Sequence, residues 1–332
     1  MVLVIFRSLG HIGWMAVSFN PDHLRLPLIA APMFLASGPE LVIACCRSGV
    51  VGTLPAHNCR DAASLEAWLD RITTTLADEP DAAPFGINLV VHRSNKNLDQ
   101  QLALIEAFRV PLVITSLGAA SRVVEVVHSY GGAVFHDVIN RRHAEKAAAA
   151  GVDGIIAVAA GAGGHTGAMN PFALVREIRQ VFDGTLVLSG AMATGDEIAA
   201  ARAMGADLAY MGTRFIATRE CQVDQAYKDM ITAAEAADIV TTDALTGVMA
   251  SFLKPSLDDA GDDPAEAASL GDELQESLNH DDQRRPWRDI WSAGQGVGGI
   301  DSILPVVTLV DQLEEEYHAG LHRMALLAGE RS

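Results

Sequence analysis

Cysteine is scarce in this sequence and poorly placed for bonding. Its four residues, Cys45, Cys46, Cys59 and Cys221, form no CxxC pair and no zinc-ligand spacing, and two of them are neighbours. They read as reduced thiols, which fits a cytoplasmic protein. Positive charge is short as well: 24 Lys and Arg stand against 42 Asp and Glu, a net charge of −18 that repels phosphate backbones and anionic lipid surfaces. Nucleic acid and membrane are therefore not expected as partners. No stretch approaches the ~18 consecutive apolar residues of a membrane span. Arg7, Gly10 and His11 interrupt the apolar start before a signal-peptide core can form. Met15 is an alternative start, which would make residues 1–14 a dispensable extension. Also missing are HExxH, a GxSxG elbow and a P-loop, so the metalloprotease, hydrolase and NTPase readings lose their usual support.

What is present is a globular composition, 49% apolar and 20% charged, arranged in a repeating rhythm. Short β-branched runs alternate with stretches rich in Ala, Glu and Arg. The runs are Leu28 to Ala31, Gly49 to Thr53, Phe85 to Val90, Leu112 to Thr115, Ala133 to His136, Gly154 to Val158, Leu186 to Ser189 and Leu208 to Met211. Helical segments are expected at Leu65 to Thr75, Gln101 to Phe108, Arg142 to Ala150, Pro171 to Val181 and Gly195 to Met204. Eight strand–helix units without a linker predict an α/β fold, a (β/α)8 TIM barrel, over an open doubly wound sheet. The barrel is assigned to residues 1–220. Residues 221–332 are expected to form a helical extension packed on it, with a helix at Gln225 to Ala237 and a last helix from Ile303 to about Leu327. The acidic tract at about 258–282 reads as an exposed, mobile loop.

In such a barrel the loops after the strands build the active site, and the seventh and eighth strands commonly end in a phosphate-binding corner. Here these strands are followed by Ser189-Gly190-Ala191 and by Gly212-Thr213-Arg214. Small residues let backbone amides approach an anion whatever the net charge, and Ser189 and Thr213 add hydroxyl donors. After the sixth strand, four glycines surround one histidine in Gly161-Ala162-Gly163-Gly164-His165-Thr166-Gly167. His165 titrates near neutral pH and is the candidate catalytic residue. His136, at the end of the fifth strand, is expected at the same rim as a second choice.

These blocks resemble the nitronate monooxygenase family of FMN-dependent barrels, which also includes NADH:quinone reductases and enoyl-thioester reductases. The matching stretches are Pro27 to Met33, Pro84 to Leu89, Ala162 to His165, Leu188 to Gly190, Met211 to Glu220 and Ser292 to Gly298. The resemblance implies that Pro32, Met33 and Phe34 lie beside the flavin ring and that Asn88 faces it. It implies that Ser189, Gly190, Ala191, Gly212 and Thr213 hold the FMN phosphate. Gly163 and Gly164 would approach the flavin through their backbone, and Gln295 with Gly294 would close part of the pocket. His165 matches the family's active-site histidine, which the resemblance implies acts as a base toward the substrate carbon or binds its anionic group. Two departures stand out: Gly161 replaces a Glu common in that loop, and Asp137 replaces a Lys found in some quinone-reducing relatives. The expected activity is FMN-dependent oxidation of alkyl nitronates by O2 to a carbonyl compound and nitrite. NAD(P)H-dependent reduction of quinones or enoyl thioesters is the alternative, and a non-catalytic barrel binding FMN or a phosphometabolite a second one. NAD(P)H as a second substrate and a homodimeric assembly are both compatible with the resemblance.

Overall fold

The computed structural model describes residues 23–260 and 287–329. Eight parallel strands close into a barrel: β1 (Leu28–Ala30), β2 (Val51–Pro55), β3 (Phe85–Val90), β4 (Leu112–Ser116), β5 (Ala133–Val138), β6 (Gly154–Val158), β8 (Thr185–Ser189) and β9 (Leu208–Met211), with β9 returning to pair with β1. The short strand β7 (Gly164–His165) lies outside the barrel. The helices are α1 (Pro39–Arg47), α2 (Ala62–Leu76), α3 (Leu98–Ala107), α4 (Ser121–Ser129), α5 (Arg141–Ala149), α6 (Pro171–Arg179), α7 (Gly195–Met204), α8 (Thr213–Ile216), α9 (Gln225–Ala233), α10 (Lys254–Ala260) and α11 (Val306–Gly329). The chain is thus a (β/α)8 barrel with a long C-terminal helix.

Because side chains alternate across each strand, the barrel divides the apolar residues into two groups. Ile29, Val51, Leu112, Ile114, Ala133, Phe135, Ile156, Val187 and Leu208 fill the inside of the barrel. The intervening residues, such as Val113, Val134, Val138 and Ile155, join the larger core between sheet and helices. Local chemistry sets the helix starts. The Asp61 side chain accepts from the Ser64 amide at 2.8 Å, and Asn140 accepts from the His143 amide at 2.9 Å. Thr194 and Glu197 form a capping box at the head of α7.

The last helix docks on α7 at glycine contacts. A Cβ on Gly195 would fall 2.1 Å from the Leu313 carbonyl oxygen, and the Gly195 amide donates to the Glu316 carboxylate at 2.7 Å. α11 therefore braces the turn after β8, which precedes α7 by only a few residues. It begins at Val306, immediately after Pro305, and buries Val306, Leu309, Val310 and Leu313.

The stretch after residue 221 is not all helix. It adds β10 (Ile239–Thr242) and β11 (Ala250–Leu253), which pair antiparallel, and β11 pairs with β7. The expected helix at Gln225 to Ala237 ends at Ala233, and a 3-10 turn follows at Ala236–Asp238. Of the tract at 258–282, the first residues close α10, and the remainder, like residues 1–14, lies outside the described residues. Among the described residues, no helix is long and apolar enough to cross a membrane. All four cysteines are buried and unbonded to one another.

Candidate active site

The glycine-rich loop after β6 becomes β7, and this short strand is what fixes His165. His165 pairs with Ala250 and Gly164 with Ser251 of β11. The Gly164 amide donates to Ser292 Oγ at 2.7 Å, whose hydroxyl in turn donates to the Ser251 carbonyl. On the other side, the Thr166 amide donates to the Met249 carbonyl at 3.1 Å. Trp287 sets its ring edge-on to the imidazole, with centroids 5.4 Å apart. His165 remains open to solvent at its outer edge, yet the protein around it lowers its pKa from the ordinary histidine value by desolvation. At neutral pH the imidazole is therefore unprotonated and able to accept a proton.

The turns after β6, β8 and β9 interlock with the segment around Gly294. The Gly161 carbonyl accepts from both the Ala191 amide, at 3.1 Å, and the Gln295 amide, at 2.9 Å. Thr213 Oγ1 accepts from the Gly294 amide at 2.9 Å. Gly163 and Gly294 touch backbone to backbone: a Cβ on Gly163 would lie 2.8 Å from the Gly294 nitrogen and 3.2 Å from Thr213 Oγ1. One continuous set of contacts thus joins residues 161–163, 189–191, 213 and 294–295. Gly190 and Ala191 take left-handed backbone angles, φ 133° and 54°. For alanine this conformation costs about 1 kcal/mol or more, and such strain clusters at functional sites.

On the opposite side of the barrel mouth, Asn88 Nδ2 donates to Ser116 Oγ at 3.2 Å and to the Ile114 carbonyl at 3.3 Å. Met33 neighbours Gly212: a Cβ there would sit 3.6 Å from the Met33 Cγ and Sδ. The Met33 amide is held by Ser37 Oγ at 3.0 Å, and Phe34 is exposed beside it.

His136 corrects the expectation drawn from sequence. It shares the outward face of β5 with Val134 and Val138, is buried, and bonds Thr115 Oγ1 through Nδ1 at 2.7 Å. Burial pushes its pKa down to about 4. It lies between sheet and helices and not at the rim, because a residue one position along a strand faces the opposite side.

Two further groups went unassigned at the sequence level. Trp287 packs on the histidine from a distant segment, and nothing in local spacing announces it. The Ile239–Thr242 run, four β-branched residues in succession, is the signal that could have revealed the sheet behind His165.

Comparison with known proteins decides the lineage. Residues 92–316 match the family model described as nitronate monooxygenase. The chain belongs to the nitronate monooxygenase family. A nitronate monooxygenase of Paraburkholderia phytofirmans is 28% identical, over 91% of this chain and 95% of its own length. A Mycobacterium tuberculosis protein named as a monooxygenase, Rv1533, is 32% identical over 68% of this chain, a match spanning 64% of that protein's length. Among solved structures, FabK from Thermotoga maritima superposes with a TM-score of 0.77 at 24% identity, covering 92% of this chain and 97% of its own, which supports the barrel fold.

For a nitronate monooxygenase relative, an oxidoreductase, the structure can be tested as a flavin site. Ser189, Gly190, Gly212 and Thr213 gather at the ends of adjacent strands, as Ser189 pairs with Tyr210. A Cβ on Gly212 would meet only the Ala31 and Met33 side chains, at 3.6 Å, and Gly163 packs backbone to backbone on Gly294, so this corner is lined by small residues. The Thr213 hydroxyl hydrogen remains to donate, whereas the Ala191 amide is engaged by Gly161. An anion at this corner would thus draw on the neighbouring amides and the two hydroxyls. Inside the barrel, Asp137 Oδ1 is buried with no partner, which leaves the other carboxyl oxygen as the one a ligand group could engage. The residues fit the group.

Proposed function

We propose that this protein is an FMN-dependent nitronate monooxygenase that converts alkyl nitronates and O2 to carbonyl compounds and nitrite. The observation that carries the reading is His165, paired with β11 and set against Trp287, on the loop whose Gly161 and Gly163 contact Ala191, Thr213 and Gly294. Ser189, Gly190, Gly212 and Thr213 would hold the FMN phosphate, with Ala191 shaping the turn. Pro32, Met33, Phe34 and Asn88 would flank the ring, and Gly163, Gly164 and Gln295 would close the pocket. When bound, FMN supplies the redox chemistry.

The protein's part is to bind, orient and move one proton. His165 takes the acidic α-proton of a neutral nitroalkane, which yields the nitronate in place. The test is spectroscopic and chemical: the purified protein should carry a flavin absorbance and release nitrite from alkyl nitronates only in the presence of O2. Rapid bleaching on anaerobic mixing with NADH, with no nitrite from any nitronate, would favour the reductase reading instead.

The lowered pKa of His165 predicts a particular pH profile. The neutral base persists further into acid than an ordinary histidine, so kcat/KM for a nitroalkane should fall with a midpoint below about 6.5. A midpoint at or above that value would remove His165 as the base.

The mouth of the site is apolar. Phe34, Leu35, Leu117, Ile139, Val248 and Met249 are exposed in segments that follow barrel strands or in the hairpin that supports β7. Ile139 lies against Gly167, and Met249 bonds Thr166, both within two residues of His165. Each buried methylene contributes about 0.8 kcal/mol. Among primary nitronates, kcat/KM should therefore rise about threefold to fourfold per added methylene over the first few carbons. A flat series would show that the rim does not hold the substrate.

A further inference from the structure

Along its inner face β5 carries Ala133, Phe135 and Asp137. The first two lie in the closed interior cluster, and Asp137 stands one layer nearer the mouth. The residue is part-exposed, yet its Oδ1 is shut off from solvent. Among the described residues it is the one buried side-chain oxygen or nitrogen without a hydrogen-bond partner. The carboxyl therefore straddles the boundary between packed interior and open mouth. An ionised carboxylate is poorly placed there, since one charged oxygen would have neither water nor donor. A neutral acid fits better: its carbonyl oxygen occupies the dry side and its O–H the accessible side.

We propose that Asp137 is a neutral hydrogen-bond donor to a planar oxyanion in the barrel mouth, which under the proposed function is the nitro or nitronate group of the substrate. Position supports it. Ile139 meets Gly167, so Asp137 and His165 each lie two residues from the same contact. Chemistry supports it too. An unprotonated His165 gives an anion no charge to pair with, and a chain of net charge −18 repels it, so a neutral donor supplies what the histidine does not.

Burial alone raises the Asp137 pKa, to about 7. Its sheet neighbours set no titratable group against it: the inward residues are Ile114 and Ser116 on β4, and Ile156 and Val158 on β6. From β9 the Tyr210 phenol interacts with it, and burial holds that phenol well above its ordinary value, so it stays neutral through the same range. His136 lies on the other face of β5. The β7 histidine, with its lowered pKa, charges only on the acid side.

The test uses butanoate, a planar two-oxygen anion that cannot release nitrite, titrated into the flavin-loaded protein by calorimetry. Wild type should bind it about tenfold more tightly at pH 6.5 than at pH 8.5, because ionisation of Asp137 removes the donor. Asp137→Asn keeps a neutral donor of the same shape and should bind equally at both pH values. Asp137→Ala should bind about tenfold more weakly than wild type at pH 6.5, a loss in line with a hydrogen bond to a charged group. Should the Ala variant fail to fold, the contrast between wild type and Asp137→Asn still decides. Nitronates giving no nitrite, with this pattern intact, would remove the proposed reaction and leave the donor standing. Equal wild-type affinity at both pH values, or an Ala variant binding like wild type, would overturn the proposal.

Discussion

Asn in place of His165 is expected to lower kcat/KM for a neutral nitroalkane by roughly 10²-fold to 10⁴-fold, the range for loss of a positioned general base. Flavin content should be unchanged, since the substitution alters only the imidazole and leaves the backbone of β7 paired with β11. Oxidation of a nitronate formed beforehand should change little, because that substrate has already lost its α-proton. Measuring nitrite release from the two forms of one compound separates the roles. Equal losses on both would show that His165 binds or orients the substrate and does not deprotonate it. Undiminished turnover of the nitroalkane would end its candidacy.

The second large effect lies far from the imidazole. Gly195→Ala would bring a methyl within 2.1 Å of the Leu313 carbonyl oxygen and 2.4 Å of the Tyr317 nitrogen, both backbone atoms of α11. Neither can swing aside as a side chain would, so α11 must move off α7. Overpacking of this kind costs about 3 kcal/mol, which in a chain of 332 residues lowers Tm by roughly 4 °C. The capping box at Thr194 and the turn at 189–191 adjoin the same contact, so weaker FMN retention should accompany the lower Tm. A variant melting with wild type would show that the two helices separate without penalty.

The barrel was legible because its evidence is local and repeated. Eight buried runs stand out from charged helices, and the predicted strands differ from those observed by a few residues at most, as where Gly49–Thr53 becomes Val51–Pro55. The loops that gather at the mouth follow from that count, since parallel strands place all their C-terminal ends on one side. What escaped was non-local. β7 is two residues long and exists only because β11 pairs with it across a long separation, which no window around Gly164 can reveal. Trp287 reaches the imidazole in the same way. His136 was misplaced through a single step of strand alternation, the kind of error that reverses a side chain completely. Asp137 was read only for the residue it replaces, since an orphaned oxygen is a property of packing.

The pairing of β7 with β11 separates closing the barrel from arming it. A chain cut after Met211 would retain all eight barrel strands, yet lack the edge that aligns His165, the Ser292 hydroxyl that holds Gly164, and the indole beside the imidazole. Such a fragment has the framework of the barrel with His165 left on an unsupported loop.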